Sequence, residues 1–371
     1  MSVHGTTMPA ARPTSRALTV GVEEEFLLLD HAEGRPALTA PAILALLDGD
    51  PYVKAEVMRY QLETVTGVCT DLAQVAEELS RHRTLASRAA EELGCHLVAC
   101  GIAPWQVPGL SALTADARYR ELAARHGSLV ASSGTCGCHV HVGIPSRELG
   151  VQILARLRPY LATLLALSAN SPIADGGDTG WASRRHPQWS RWPTAAPPRV
   201  WRSAADYDAA VCRLIRRGRA MDERSVYFHA RLSPRHPTVE LRVMDTCLSV
   251  EDTLLMAAMA RALVALAIAD VTRGVPVTAL SDRRIAAELT AAARHGLDAL
   301  AVDPYTSRVM PHRDLLESLL PHLPDPEPIA LLLRGLARRG TGAARQRTMW
   351  ARAGSPRRFA QLLAGATRAR A

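Results

Sequence analysis

The sequence predicts an α+β fold in which an antiparallel or mixed sheet carries helices on one face. Three observations predict it. Four segments alternate apolar with polar or ionisable residues at the two-residue period of a strand. The stretches that join and follow them repeat apolar residues at helical spacing. The 371 residues are 48% hydrophobic and 22% charged, the mixture of a chain that buries a core.

In chain order, residues 1–16 hold Pro9, Pro13 and small polar residues without an apolar core, and read as a flexible tail. The remainder, 17–371, reads as one domain. Leu18 to Leu29 is the first predicted strand and Val57 to Val68 the second, closed by Gly67. A helix then opens at Asp71, with Leu72, Val75, Leu79, Ala86 and Ala90 on one stripe, and ends at Gly94, a residue suited to a left-handed cap. Leu97 to Ile102 and Cys136 to Ile144 are strands. Ser146 starts a long apolar helix to Asn170, and the Pro-, Gly- and Trp-rich stretch from Ser171 to Arg202 is too long to be an idle connection. Val239 to Asp245 alternates cleanly as a strand. Ser249 to Asp252 resembles a capping box for the apolar helix that follows, and the rest is mostly helical.

Composition excludes several mechanisms. The formal charge is +8, but the basic residues are scattered, which suits a solvated surface and not a nucleic-acid partner. Lys54 is the sole lysine, and its context fits neither a phosphate-binding Gly-Lys-Ser/Thr loop nor a Schiff base. Phosphate handling must therefore rest on arginine, backbone N–H groups and a metal. Seven cysteines without compact spacing suit reduced thiols in the cytoplasm. Thr253 to Val271, interrupted by Arg261, suits a buried helix better than a membrane span.

Four constellations carry chemistry. In Gly21-Val22-Glu23-Glu24-Glu25-Phe26, Glu23 and Glu25 share a strand face, a repulsion that a hard cation between them relieves; a solvated edge strand is the bland alternative. In Glu56 to Glu63, Arg59, Gln61 and Glu63 share a face, whereas Glu56 stands an odd number of residues from Glu63 and joins it only if the chain bends. In Cys136-Gly137-Cys138-His139-Val140-His141-Val142-Gly143, the cysteines share the core face and His139 and His141 the other. One zinc ion is not easily reached from both faces, so the cysteines read as core and the histidines as site residues, with flanking glycines leaving room for a ligand. In Val239 to Asp245, Glu240 and Arg242 project together, as a structural ion pair or as a holder of metal and phosphate.

With Ala169-Asn170-Ser171-Pro172, Asp178-Thr179-Gly180 and the Gly342 to Arg347 stretch containing Arg345-Gln346-Arg347, these motifs resemble the YbdK-type carboxylate-amine ligases, the glutamate–cysteine ligase 2 family, from about Leu18 to Arg347. The resemblance implies a glutamine synthetase-like catalytic domain whose antiparallel sheet forms a funnel around ATP and divalent metal, Mg²⁺ or Mn²⁺. It implies Glu23, Glu25, Glu63 and Glu240 as metal positions with His139 beside them, and Glu56 as a further one if the bend exists. Arg242 and His141 are the expected catalytic residues, and Arg231, Arg242, Arg345 and Arg347 the expected nucleotide-binding ones. Val65 stands where relatives usually carry Asn, which removes a hydrogen bond to substrate and leaves substrate identity open.

The implied reaction joins a small carboxylic acid to an amine through an acyl phosphate, glutamate and cysteine being one pair and a specialised biosynthetic pair another. The alternatives are a metal-dependent hydrolase with zinc on His139, His141 and a glutamate, and a non-catalytic binding protein, against which the repulsive acidic cluster argues. No nucleic acid or membrane partner is expected, and the apolar helices suit a homodimer.

Overall fold

The computed structural model describes residues 18–132 and 134–368; the expected tail over residues 1–16 lies outside them. Seven strands form one antiparallel sheet. They are β1 (Val20–Asp30), β2 (Val53–Ala55), β3 (Gln61–Val65), β4 (Cys95–Val98), β5 (Gly137–Gly143), β6 (Ala230–Leu232) and β7 (Thr238–Asp245). The order is β2-β3-β1-β5-β7-β6, with β4 paired to the last residues of the long β1. The α+β class and the antiparallel sheet are as expected from alternation; the short edge strands β2 and β6 were not foreseen.

The face bearing Val22, Phe26, Leu62, Cys138, Val140, Leu241 and Val243 is fully buried. It packs on α1 (Leu72–Glu92), α2 (Arg147–Leu157), α3 (Leu161–Ser168) and α4 (Val250–Thr272). Each such side chain removed from water contributes about 1.5–3 kcal/mol. Glu24 lies on this same face at 0% exposure and survives there because Arg83 and Thr253 donate hydrogen bonds to its carboxylate. Arg83 also donates to the carbonyls of Cys247, Leu248 and Thr367, so the buried pair ties β1 and α1 to the chain ahead of α4 and to the C-terminal helix.

Other local expectations change. The second strand is shorter than Val57 to Val68, because Val57 to Tyr60 form a turn between β2 and β3. The helix from Ser146 breaks into α2 and α3 at Arg158–Tyr160, where Pro159 cannot donate to the helical ladder. The 171–202 stretch holds a small hairpin, Ile173–Ala174 with Gly177–Asp178, and the helix Arg185–Trp189. Ser249 does sit at the N-cap of α4 but makes no cap bond; its hydroxyl donates to Asp252, whose carboxylate also binds Arg339 and Arg345. Gly94 has the left-handed φ of 71° foreseen for it. α4 is the one helix among the described residues that is long and apolar enough to cross a membrane, and 78% of its apolar window is buried in the protein core.

Candidate active site

Strand register brings the ionisable residues onto the other face of the sheet. Glu25 lies opposite Glu63, Glu23 opposite His139, and His141 opposite both Gly21 and Glu240; Arg231 pairs with Glu240 from the edge strand. Lys54 lies opposite Glu63, so Glu56, two residues beyond Lys54, projects from the same side. The bend that Glu56 required is the β2–β3 reversal itself, which makes parity counting along a single strand inapplicable.

Two groups of three ligands result. The carboxylates of Glu25, Glu56 and Glu63 come within 4.8 Å of one another, as do ligand atoms of Glu23, His141 and Glu240. His139 spans the two, with Nδ1 3.1 Å from Glu23 Oε2 and Nε2 3.7 Å from Glu25 Oε1. His141 Nδ1 is tied to Thr238 Oγ1 at 2.9 Å, and its Nε2 points to Glu23 Oε1 at 3.3 Å.

Burial and like charge set the protonation of the first group. Burial, and then the neighbouring Glu25, push Glu56 up to about 8. Burial and the charges of Glu23, Glu56 and Glu25 push Glu63 well above the usual carboxylate range. Burial also works on Glu23, but hydrogen bonds from His139 and His141 outweigh it and hold that carboxyl well below its usual value. At Glu240 the charges of Arg242 and Arg231 overcome burial and keep the carboxylate ionised. Burial, and then Arg242, lower His139, while the bond to Glu23 outweighs burial and raises His141.

These groups fit divalent cations. His139 Nε2 and His141 Nε2 are buried and face the carboxylates of Glu25 and Glu23 at 3.7 and 3.3 Å. Hard oxygen donors with one or two imidazoles suit Mg²⁺ or Mn²⁺. Cys138 is fully buried on the opposite face, as expected. Cys136, just ahead of β5, departs from the expectation: it is buried on the cavity side, packed with Leu27 and Leu29 and 3.5 Å from the Nε2 of Gln61, without lining the cavity itself.

The cavity, about 290 Å³, also holds residues that sequence reasoning passed over: Lys54, Arg118, Tyr119, Trp189, Tyr227 and Arg224. Two of these carried a usable signal, since Lys54 is the sole lysine and Trp189 lies in the conspicuous 171–202 stretch. Arg231 lines the cavity but is fully engaged, with two bonds to Glu240 of 2.8 and 3.2 Å and others to backbone carbonyls. Its place is to hold Glu240. Arg242 pairs with Glu240 from the neighbouring position, and its Nε is buried without a partner.

Arg345 and Arg347 do not reach this cavity, contrary to expectation. They sit on the helix Gly342–Ala353 in the helical layer, where Arg345 binds Asp252 at 3.0 Å and Arg347 grips Asp178 with bonds of 2.8 and 3.2 Å. Between them Gln346, fully buried, donates to Asn170. Asn170 and Ser171 in turn bind Asp245 at the end of β7. The C-terminal motif thus ties its helix to Asp252, Asp178 and Asn170. The glycines of the histidine strand are also explained by packing: a Cβ on Gly137 would lie 2.4 Å from Arg185 Nη2, and one on Gly143 2.4 Å from Thr19 Oγ1.

A second, apolar pocket of about 590 Å³ opens beside the Glu23 end of the cavity. Val20, Val22, Val65, Ile144 and Pro237 line it, and it shares Glu23, His141 and Lys54 with the acidic cavity.

Residues 19–357 match the family model described as Glutamate-cysteine ligase family 2. A Salinispora tropica protein named as a glutamate–cysteine ligase 2 is 43% identical over 351 residues, covering 92% of this chain and 93% of its own. A Rhodococcus jostii protein named as glutamate–cysteine ligase 2-1 is 41% identical over 362 residues, covering 94% and 96%. Among solved structures, the glutamate–cysteine ligase of Francisella tularensis, in complex with AMP, superposes with a TM-score of 0.69 at 13% identity over 95% of this chain and 89% of its own. A bifunctional glutathione synthetase from Pasteurella multocida gives 0.69 at 17% identity over 94% of this chain, which spans 52% of that larger protein. At such identities the structural likeness is one of fold.

Proposed function

From the premise that this chain belongs to glutamate-cysteine ligase family 2, we infer that it is an ATP-dependent carbon–nitrogen ligase that activates a small carboxylic acid as an acyl phosphate. The observation that carries this reading is the pair of three-ligand groups on one sheet face, bridged by His139. Glutamate is the acid and cysteine the amine we propose, on the strength of the relatives' names.

Glu25, Glu56 and Glu63 would hold one divalent ion, and Glu23, Glu240 and His141 a second, with His139 orienting Glu23 and Glu25 between them. When bound, Mg²⁺ or Mn²⁺ would supply positive charge against the ATP phosphates. The apolar pocket, open to Glu23 and His141, would seat ATP with its phosphates toward the carboxylates. Arg242 would engage oxygens of the moving phosphoryl group, where charge develops in the transition state. Arg224 and Arg118 in the same cavity would face the carboxylic acid.

The acid's carboxylate oxygen attacks the γ-phosphorus, the bond to the β-bridging oxygen breaks, and ADP leaves. The amine nitrogen then attacks the acyl carbon, its proton is lost, and phosphate departs with the carbon–oxygen bond electrons. We place this chemistry in one catalytic domain, in the cytoplasm, on small-molecule substrates. The hydrolase alternative has no support among the relatives. A screen of amino acid and amine pairs for ATP conversion to ADP with Mg²⁺ tests the reading: turnover that depends on both partners supports it, and none with any acid refutes it.

A further inference from the structure

On the far end of β1 a second set of metal-ligating side chains stands apart from the cavity. His31 follows β1, His96 lies on β4 and Glu91 on the last turn of α1. Strand pairing brings them together: Leu29 is opposite His96, and His31 N donates to Gly94 O at 3.0 Å. His96 Nδ1 lies 2.9 Å from Glu91 Oε1, and His31 Nε2 lies 3.1 Å from Glu91 Oε2. The imidazole centroids are 4.2 Å apart.

A surface ion-pair cluster would produce similar distances, but it would align its hydrogen bonds. His31 Nε2 is buried, faces the carboxylate at bonding distance, and makes no hydrogen bond. Ligand atoms of all three residues lie within 4.8 Å of one another, so a small side-chain closure would bring them to the roughly 3.3–3.6 Å spacing that a tetrahedral ion with bonds near 2.0–2.2 Å imposes on its ligands. Arg368 Nη1, 3.1 Å from Glu91 Oε1, orients the carboxylate from behind and leaves Oε2 toward His31. His96 is held in the sheet, while His31 and Glu91 are about one-third exposed, so an ion has a path in.

We propose that His31, His96 and Glu91 form a zinc site that clips the end of β1 to β4 and α1, separate from the catalytic cavity. Two imidazoles and a carboxylate suit zinc rather than magnesium, with water completing the tetrahedron. The clip closes the chain between residues 31 and 96, so its effect is on stability and not on turnover.

The test compares zinc bound per chain, and the melting shift on adding zinc alone, in the full-length protein and in its His31→Ala and Glu91→Gln variants. Any zinc taken by the catalytic carboxylates is common to all three and cancels. Each variant should bind one equivalent less and lose most of the zinc-induced melting shift, while its ATP turnover with Mg²⁺ stays at the parent level. Equal zinc stoichiometry and equal shift in parent and variants would overturn the site.

Discussion

Glu25 and Glu63 are direct partners across the β1–β3 pair, two carboxylates side by side with side-chain exposures of only 14% and 15%. Lys54 Nζ, 3.9 Å from Glu63, is too distant and too exposed to neutralise both. Such a pair persists for a reason other than stability, and a bound cation supplies one.

Glu25→Gln and Glu63→Gln should each reduce ligase turnover by on the order of a hundredfold or more, as loss of a preorganised electrostatic partner does. Melting temperature in the absence of metal should be unchanged or higher, because a repulsion is removed. Steady-state ADP release together with circular dichroism checks both; near-parental turnover in either variant would contradict the assignment.

The same repulsion sets a pH dependence. In the metal-free protein Glu56 keeps its proton up to about pH 8, and Glu63 is also raised, whereas the unfolded chain releases these protons near pH 4.5. The folded state binds more protons than the unfolded one through this window. The stability present below pH 4.5 is therefore lost as pH rises through about 8. Melting in chelator should fall along this interval, Glu56→Gln should flatten the fall, and added Mg²⁺ should protect more at pH 8 than at pH 6.

Cys136→Ser and Cys138→Ser should cost stability by about 1–3 kcal/mol, because each places a hydroxyl among buried apolar side chains, Cys138 on the helix-packed face of β5 and Cys136 beside Leu27 and Leu29, and should leave kcat within a fewfold of the parent. Denaturant unfolding and turnover separate the two effects. A fall in activity without a fall in stability would place the thiols in the chemistry after all.

Arg345→Ala and Arg347→Ala should leave the KM for ATP unchanged while lowering the melting temperature, since both arginines brace helices and neither lines the cavity. Arg242→Lys should do the reverse: it keeps the charge but loses the planar fork, so kcat falls with little change in melting. A raised KM for ATP in the Arg347 variant would restore the original expectation for that residue.

The two faces of each strand were readable because period-two alternation needs no tertiary information. Glu23, Glu25, His139, His141, Glu240 and Arg242 therefore fell on the correct side. Glu56 was undecidable, since its position depends on where β2 turns into β3, and Val57 to Tyr60 look as strand-like as the residues that follow. Arg345 and Arg347 could not be placed from the sequence, because an arginine in a motif carries the same chemistry whether it meets a phosphate or Asp178. Only the packing of its helix distinguishes them. Arg118, Tyr227 and Trp189 come from three separate segments, and nothing in their spacing joins them before the chain folds.

The acyl phosphate is the centre of the account, and trapping tests it without knowledge of the natural amine. With glutamate, ATP and Mg²⁺, hydroxylamine should intercept the activated carboxyl and give glutamyl hydroxamate and ADP in equal amounts. Release of AMP and pyrophosphate, or hydroxamate formed without ATP, would contradict it.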